Sequence, residues 1–223
     1  MLLRLQFLST LSSHFFLHLP HYSTTPHNMI LPIVGYGDPV LRKVGEDIAA
    51  DYPNLKELIF NMFDTMYNAY GIGLAAPQVG LPIRLFVIDM VPFSDDEDMS
   101  PEEQQKLKTC KKAFINAKIL KEEGELWSFN EGCLSIPNVR EDVSRHERIT
   151  VQYQDEDFNI HTEVFDGLTA RVIQHEYDHI EGVLFTDRIA SLKKQLIKKK
   201  LQNIMEGKTK ADYKMRIFGK KGR

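Results

Sequence analysis

The stretch His175-Glu176-Tyr177-Asp178-His179 constrains the fold of this chain more than any other feature of its sequence. It lies in residues 167–182, where apolar residues recur at helical spacing. Residues four apart on a helix share one face, so His175 and His179 can both reach one metal ion. Glu176 can approach a water molecule beside that ion from the side. We therefore expect a helix with a metal site, supported in the core by Leu168, Val172, Ile173 and Ile180.

The two histidines alone do not identify the third ligand of such a site. A third histidine at the spacing used by one class of proteases would fall on Phe185, which cannot bind a metal. A downstream glutamate is available only as Glu206, in a basic segment that we expect to be exposed. His146 and His161 lie upstream in polar, charged stretches and are expected to face solvent.

Cys133 is the better candidate for the third ligand. It follows Gly132, which permits close backbone approach, and the apolar Leu134 and Ile136 after it indicate burial. One thiolate and two imidazoles leave a fourth position open for water, as a catalytic metal requires. A buried cysteine by itself would more simply be an inert thiol, so this prediction depends on all three residues together.

The cysteine content and the hydropathy limit the other possibilities. Two cysteines cannot form a disulfide framework, which favours a reducing compartment. The other cysteine, Cys110, lies in residues 94–112, an acidic stretch that we expect to be an exposed insertion with one short helix starting near Ser100 and Pro101. No apolar run approaches the roughly 20 residues of a membrane span, so no membrane partner is expected.

Periodicity elsewhere predicts an α+β protein with antiparallel or mixed β-sheets around a central metal-binding helix, plus a C-terminal helix. A helix is expected over residues 52–70, ended by the glycines that follow. Strands are expected over residues 84–91, 113–120, 125–129, 149–154 and 160–165, the last two as a hairpin. Residues 189–206 predict an amphipathic helix whose apolar side carries Ile189, Leu192, Leu196, Ile197, Leu201 and Ile204.

Charge divides the chain into three parts. Residues 193–223 contain 12 Lys and Arg and 2 Asp and Glu, a net charge of +10, whereas residues 29–192 contain 15 and 29, a net charge of −14. The basic helix and tail suggest a polyanionic partner, with a merely solvated helix as the alternative. Residues 1–28 contain a single basic residue and no acidic one. We expect a disordered extension or a start of translation at Met29, with an organelle-targeting segment as the less favoured alternative.

Three segments together resemble the peptide deformylase family. They are GIGLAAPQ (residues 71–78), EGCLS (131–135) and QHEYDH (174–179), in that order, and the resemblance covers roughly residues 29–192. It implies an enzyme that hydrolyses the formyl group from the N-terminal methionine of newly made proteins. It also implies metal ligands Cys133, His175 and His179, with Glu176 moving the proton from water to the leaving amine.

The resemblance extends to residues that contact the substrate. By this analogy the Gln78 amide and the Leu134 backbone N–H stabilise the oxygen that becomes negatively charged. The positions that match the pocket for the methionine side chain are Ile72, Phe129, Glu131, Leu168, Arg171, Val172 and His175. We expect the aliphatic part of the Arg171 side chain to cover this pocket and its guanidinium group to extend into solvent. Gly73 and Arg140 match positions that hold the peptide as an added strand.

The metal and the partners follow from different arguments. The ligand set alone points to zinc, whereas the resemblance points to Fe²⁺ with Zn²⁺, Ni²⁺ or Co²⁺ as substitutes. The expected substrates are N-formylmethionyl nascent peptides in the cytoplasm. A ribosomal contact through rRNA phosphates is expected of the tail lysines 193, 194, 198, 199 and 200. The alternatives are another class of metalloprotease, a structural zinc module and a non-enzymatic RNA-binding protein.

Overall fold

The computed structural model describes residues 29–95 and 100–219, and the predicted extension over residues 1–28 lies outside them. Four α-helices and seven strands form within these ranges. The helices are α1 (Leu55–Asn68), α2 (Pro101–Leu107), α3 (Gly167–Ile180) and α4 (Ser191–Met205). The strands are β1 (Ile33–Val34), β2 (Gly73–Ala75), β3 (Leu85–Asp89), β4 (Lys111–Cys133), β5 (Ile136–Gln154), β6 (Ile160–Asp166) and β7 (Met215–Arg216).

The main sheet is antiparallel and has the strand order β2-β3-β4-β5-β6. Its centre is a long ribbon of 23 residues in β4 and 19 in β5. The two separate strands predicted over residues 113–120 and 125–129 are therefore wrong, because they form one continuous strand. Gly124, which lies between the two predicted strands, has φ +79°, a conformation typical of a turn. Irregularities in the register with β5 on both sides of Gly124 accommodate this conformation, so the strand continues.

Helix α3 is enclosed by the rest of the protein, as the predicted α+β fold requires. Ala170, Val172, Ile173 and Ile180 are buried in a core cluster shared with β3, β4 and β5. Charged side chains of the same helix are buried too, including Arg171 and Asp178. An interior helix that carries charge must pair it, and these pairs surround the candidate site. The fold-class prediction, including the central helix, is confirmed.

The region 94–112 differs in part from its prediction. The short helix forms as expected, at Pro101–Leu107. However, Leu107 and Cys110 are each 6% exposed and belong to the same core cluster as α3. The prediction of a wholly exposed insertion is therefore wrong, because its two apolar side chains at the end of the helix turn inward.

The C-terminal part packs against the body and then turns back towards β1. Helix α4 buries Ile197, Leu201 and Ile204, whereas the predicted apolar residues Leu192 and Leu196 are 70% and 74% exposed. Beyond the helix, β7 pairs in parallel with β1, so that the C-terminal end of the described chain adjoins its beginning.

Within residues 29–95 and 100–219, every helix is too short or too polar to cross a membrane.

Candidate metal centre and active site

Cys133, His175 and His179 lie together, as predicted. Cys133 ends β4, and α3 carries the two histidines with ring centroids 5.2 Å apart. The Cys133 Sγ lies 3.2 Å from His179 Nε2, and one ligand atom from each residue lies within 4.8 Å of the other two. These separations fit a soft thiolate and two imidazoles around one transition-metal ion.

The other candidate ligands lie elsewhere. The His146 Nδ1 is hydrogen-bonded to the Gly124 carbonyl at 3.1 Å, and His161 pairs with Asp155 at 2.7 Å. The ring of Phe185 stacks beside His175 with centroids 6.3 Å apart, where it can shield the imidazole but not coordinate. The described residues thus offer Cys133 as the third donor.

The two histidines of this cluster differ in protonation when no metal ion is bound. Burial alone would lower the pKa of His175, but hydrogen bonds with Cys133 and Glu131 outweigh it and raise the pKa to about 10. Burial and the neighbouring His175 hold the pKa of His179 well below its usual value. The cluster therefore keeps a neutral imidazole, with one proton on His175 that a bound metal ion would displace.

Glu131 orients the His175 ring through a hydrogen bond with its Nδ1 atom. Its carboxylate accepts a hydrogen bond from His175 Nδ1 at 2.9 Å and contacts Arg145 at 2.7 and 3.0 Å and Arg171 at 3.0 Å. Although burial opposes it, hydrogen bonds from His175 and Arg145 hold the pKa of Glu131 far below its usual range. Glu131 adjoins the cavity, but both its oxygens are engaged by protein groups, as is typical of a residue that fixes a metal ligand.

The predicted orientation of Arg171 is wrong. Its side chain is 2% exposed, and its guanidinium donates to the carbonyls of Val143 at 2.9 Å and Trp127 at 2.6 Å as well as to Glu131. The head is buried because the Glu131 carboxylate and two backbone acceptors compensate its charge. Arg145 continues this network to Asp178 at 2.7 Å. Sequence reasoning missed Arg145, since a single arginine in a polar strand gives no signal of burial.

Glu176 lies beside the two histidines with a free oxygen. The residue is 4% exposed, and its Oε2 has no hydrogen-bond partner within the described parts of the chain. Burial raises the pKa of Glu176 to about 7, with His175 and Arg145 acting in the opposite direction. A Cβ at Gly73 would lie 2.5 Å from Glu176 Oε1, so a larger residue at this position of β2 would displace the carboxyl group. A carboxyl group near neutrality is suited to accept and return a proton.

Gln78 and Leu134 approach the cluster from two sides. The Ala75 backbone N–H donates to Gln78 Oε1 at 2.8 Å, which fixes the side-chain amide. The Gln78 Nε2 then lies 3.5 Å from the Cys133 Sγ. Leu134 follows Cys133 in the turn between β4 and β5, and its carbonyl accepts a hydrogen bond from the Tyr213 hydroxyl at 2.7 Å.

A cavity of about 580 Å³ opens beside these groups. Ile72, Phe129, Leu168 and Val172 give it apolar walls, and Gly73, Glu131 and Arg140 also line it. Arg171 and His175 line it too, so all nine positions that the sequence analysis matched to substrate contacts border one space. The cavity has a further wall that the sequence analysis missed, made by Ala211, Asp212 and Tyr213. No motif pointed to these residues, and the only hint was an aromatic residue in a basic tail.

Comparison with known proteins gives one consistent family. The model of the family "Polypeptide deformylase" matches residues 30–195. The peptide deformylase of Flavobacterium johnsoniae is 73% identical over 196 residues, covering 87% of this chain and 100% of that protein. The peptide deformylase of Salinibacter ruber is 45% identical and covers 83% of this chain and 93% of that one. A crystal structure of a peptide deformylase from Legionella pneumophila has a TM-score of 0.68 and 35% identity, over 81% of this chain and 98% of that chain.

A partly buried Cys-His-His cluster at a cavity, with a buried carboxyl group that titrates near neutrality, in an α+β fold, is typical of a metal-dependent hydrolase. The chain belongs to the polypeptide deformylase family. The activity that follows from this membership is the hydrolytic removal of the formyl group from an N-terminal formyl-methionine, as the sequence resemblance implied.

Proposed function

We propose that Glu176 is the general base and acid of this deformylation, acting on nascent peptides beside an Fe²⁺ ion held by Cys133, His175 and His179. The observation that carries the proposal is the buried Glu176 carboxyl, whose Oε2 is unpartnered among the described residues at the edge of the cavity. When bound, such an ion supplies Lewis acidity, which polarises a carbonyl and lowers the pKa of water towards about 7.

Side-chain and backbone groups of the protein transfer the proton and stabilise the negative charge. Glu176 takes the proton from the attacking water and returns it to the amine nitrogen of methionine as the C–N bond breaks. Gln78 Nε2 and the Leu134 backbone N–H donate to the formyl oxygen as it gains negative charge. Gln78 is held by the Ala75 N–H and the Leu134 backbone by the Tyr213 hydroxyl before the reaction, so little reorganisation is needed.

The substrate is proposed to bind with its methionine side chain against Ile72, Phe129, Leu168 and Val172. Strand β2 is at the end of the sheet order, so its outer edge at Gly73 is suited to pair with an extended peptide. Arg140, which is exposed and lines the cavity, is proposed to contact the peptide backbone. Main-chain pairing accepts many sequences beyond methionine, as substrates drawn from many proteins require.

The test is formate release from a formyl-Met tripeptide by anaerobically purified protein loaded with Fe²⁺, beside Glu176→Gln. Rapid release by the wild type and almost none by a folded, metal-loaded Glu176→Gln variant is the expected result. Comparable rates for the two proteins would refute the role of Glu176. The Fe²⁺ assignment is tested by metal analysis of protein purified without air, where a predominance of zinc would overturn it.

We also propose that the chain acts in the cytoplasm and that α4 contacts rRNA phosphates, while residues 29–192 carry the reacting groups. Lys198, Lys199 and Lys200 are exposed and form no ion pair with another described residue, so their charge is available. Lys193 and Lys194 instead pair with Asp142 at 3.0 Å and Asp187 at 3.2 Å and are weaker candidates.

Charge reversal of Lys198, Lys199 and Lys200 is a sharper test than deleting the tail, which would also remove a wall of the cavity. We expect the triple Lys→Glu variant to lose co-sedimentation with ribosomes at low salt and to keep its rate on a tripeptide. Reversal of the paired Lys193 is the control. Unchanged co-sedimentation of the triple variant would end the ribosome proposal.

A further inference from the structure

We propose that the segment after α4 belongs to the active site, and that Tyr213 is a positioning residue for the Leu134 peptide group. The inference rests on the proposed role of the Leu134 N–H as an oxyanion donor. The family model ends at residue 195, whereas this segment lies at residues 210–216. The tail would thus serve the reaction itself in addition to any contact with a polyanion.

The segment is held in place along its length. The Asn138 side chain donates to the Lys210 carbonyl at 3.0 Å, at the start of the segment. At its end, the Ile33 N–H donates to the Lys214 carbonyl and the Gly35 N–H to the Arg216 carbonyl, both at 2.9 Å. Strand β1 is buried, so the segment is tied to the interior of the protein. Tyr213 lies between these anchors and packs against the core cluster that contains α1.

The Tyr213 hydroxyl reaches a residue of the catalytic turn. It donates to the Leu134 carbonyl at 2.7 Å, across 79 positions of sequence. The Leu134 carbonyl and the Leu134 N–H belong to two peptide planes that meet at the Leu134 Cα atom. Cys133, on the N-terminal side, is fixed by its pairing with Ile136, so a bond that anchors the Leu134 carbonyl limits the rotation of the residue and with it the direction of the N–H. The Leu134 side chain is confined from the other side, since a Cβ at Gly71 would lie 2.8 Å from its Cδ1. Leu134 is therefore held between Gly71 on one side and Tyr213 on the other.

The expected effect of losing this bond concerns the transition state more than substrate binding. An oxyanion donor acts on charge that develops during the reaction, and its value depends on its direction. Tyr213→Phe keeps the ring and its packing and removes only the hydroxyl. We expect kcat to fall about tenfold with KM within about twofold, because complete loss of such a donor costs about a hundredfold or more.

Tyr153→Phe is the matched control. The Tyr153 hydroxyl is also partly buried and bonds to Glu163 at 2.5 Å and Lys112 at 3.1 Å, on strands of the main sheet and outside the cavity lining. We expect this variant to lose a comparable hydrogen bond and to keep its kcat. Melting temperature and metal content are measured for both variants, so that a general loss of structure is recognised.

Two readouts test the inference independently of each other. The first is the kinetic constants for formate release from a formyl-Met tripeptide by the iron-loaded proteins. An unchanged kcat of Tyr213→Phe, or a raised KM with unchanged kcat, would overturn the positioning role. The second is hydrogen exchange of the Leu134 amide, which we expect to become faster in Tyr213→Phe and not in Tyr153→Phe. Unchanged exchange in Tyr213→Phe would overturn the inference, whether or not the wild type is active. Absence of formate release by the wild type would instead refute the proposed function and would leave the exchange measurement as the test of the inference.

Discussion

At the scale of single residues, the carboxylate of Glu131 joins two buried arginines to a candidate metal ligand. Such a group stabilises the protein by compensating charge that would otherwise be buried alone, and it also fixes the orientation of the His175 ring. The same residue therefore affects both the free energy of unfolding and the affinity for the ion.

We predict that Glu131→Gln lowers the free energy of unfolding by about 3 kcal/mol, because Arg171 keeps its charge and loses its carboxylate partner, while Arg145 keeps only Asp178. The affinity for the metal should fall about 10- to 100-fold, as for other residues that orient a ligand. Urea unfolding and competition with a chelator measure the two effects. Glu163→Gln is the control, since its partly exposed pair with Lys112 contributes about 1 kcal/mol or less.

Gly73, unlike Glu131, is a residue whose effect on the reaction rate can be separated from an effect on metal binding. A methyl group at this position would meet the Glu176 carboxyl at 2.5 Å and force it away from its place. We predict that Gly73→Ala reduces the rate of formate release by about a hundredfold, the scale of loss for a catalytic group displaced by about 1 Å. Metal content should be unchanged, because none of the three ligands is touched. A wild-type rate in a folded variant would show that the carboxyl has room to move.

At the scale of secondary structure, α4 is an amphipathic helix with only part of its apolar surface buried. Leu201 is 6% exposed and packs with Val139 and Val143 of β5, whereas Leu196 on the same helix is 74% exposed. We predict that Leu201→Ala lowers the free energy of unfolding by about 2–5 kcal/mol and that Leu196→Ala changes it by less than about 0.5 kcal/mol. Chemical denaturation of the two variants measures this, and equal losses would mean that α4 does not dock as described.

The same elements show which features a sequence can predict. Helix α3 was predictable because a single helical period sets both its burial and the spacing of His175 and His179. Strand β7 was not, since two residues pair in parallel with β1 some 180 positions earlier, and local patterns carry no information about such a partner. The continuity of β4 through Gly124 was missed for a related reason: a glycine that would end a strand elsewhere is accommodated by a change of register with β5.

The candidate site also contains residues that the sequence predicts and residues that it does not. Cys133 and Glu176 could be proposed from the residues around them, whereas Gln78 was proposed only through the resemblance of residues 71–78 to the peptide deformylases. The buried head of Arg171 could not, because its burial depends on Glu131 and on two backbone carbonyls that only the folded chain brings near. Tyr213 was missed since its contact with Leu134 joins distant parts of the sequence.

At the scale of the whole molecule, the metal centre links the long ribbon to the central helix. Cys133 comes from β4, and both histidines come from α3. An ion held by these residues would act as a cross-link between the two layers, formed only in the folded state. Ligand binding to the folded state alone raises the free energy of unfolding in proportion to the logarithm of ligand concentration.

We therefore predict that Zn²⁺, used as an air-stable substitute, raises the melting temperature of the wild type and not of Cys133→Ala. At a free ion concentration about 100 times the dissociation constant, the expected gain in free energy of unfolding is about 2.7 kcal/mol. Cys110→Ala is the matched control, because it removes the other free thiol, which is buried in the core 6% exposed and outside the metal cluster. It should be less stable than the wild type without metal and gain the same increment when Zn²⁺ is added. If Cys133→Ala gained that increment as well, the thiol would not be a ligand, and the two histidines would need another donor.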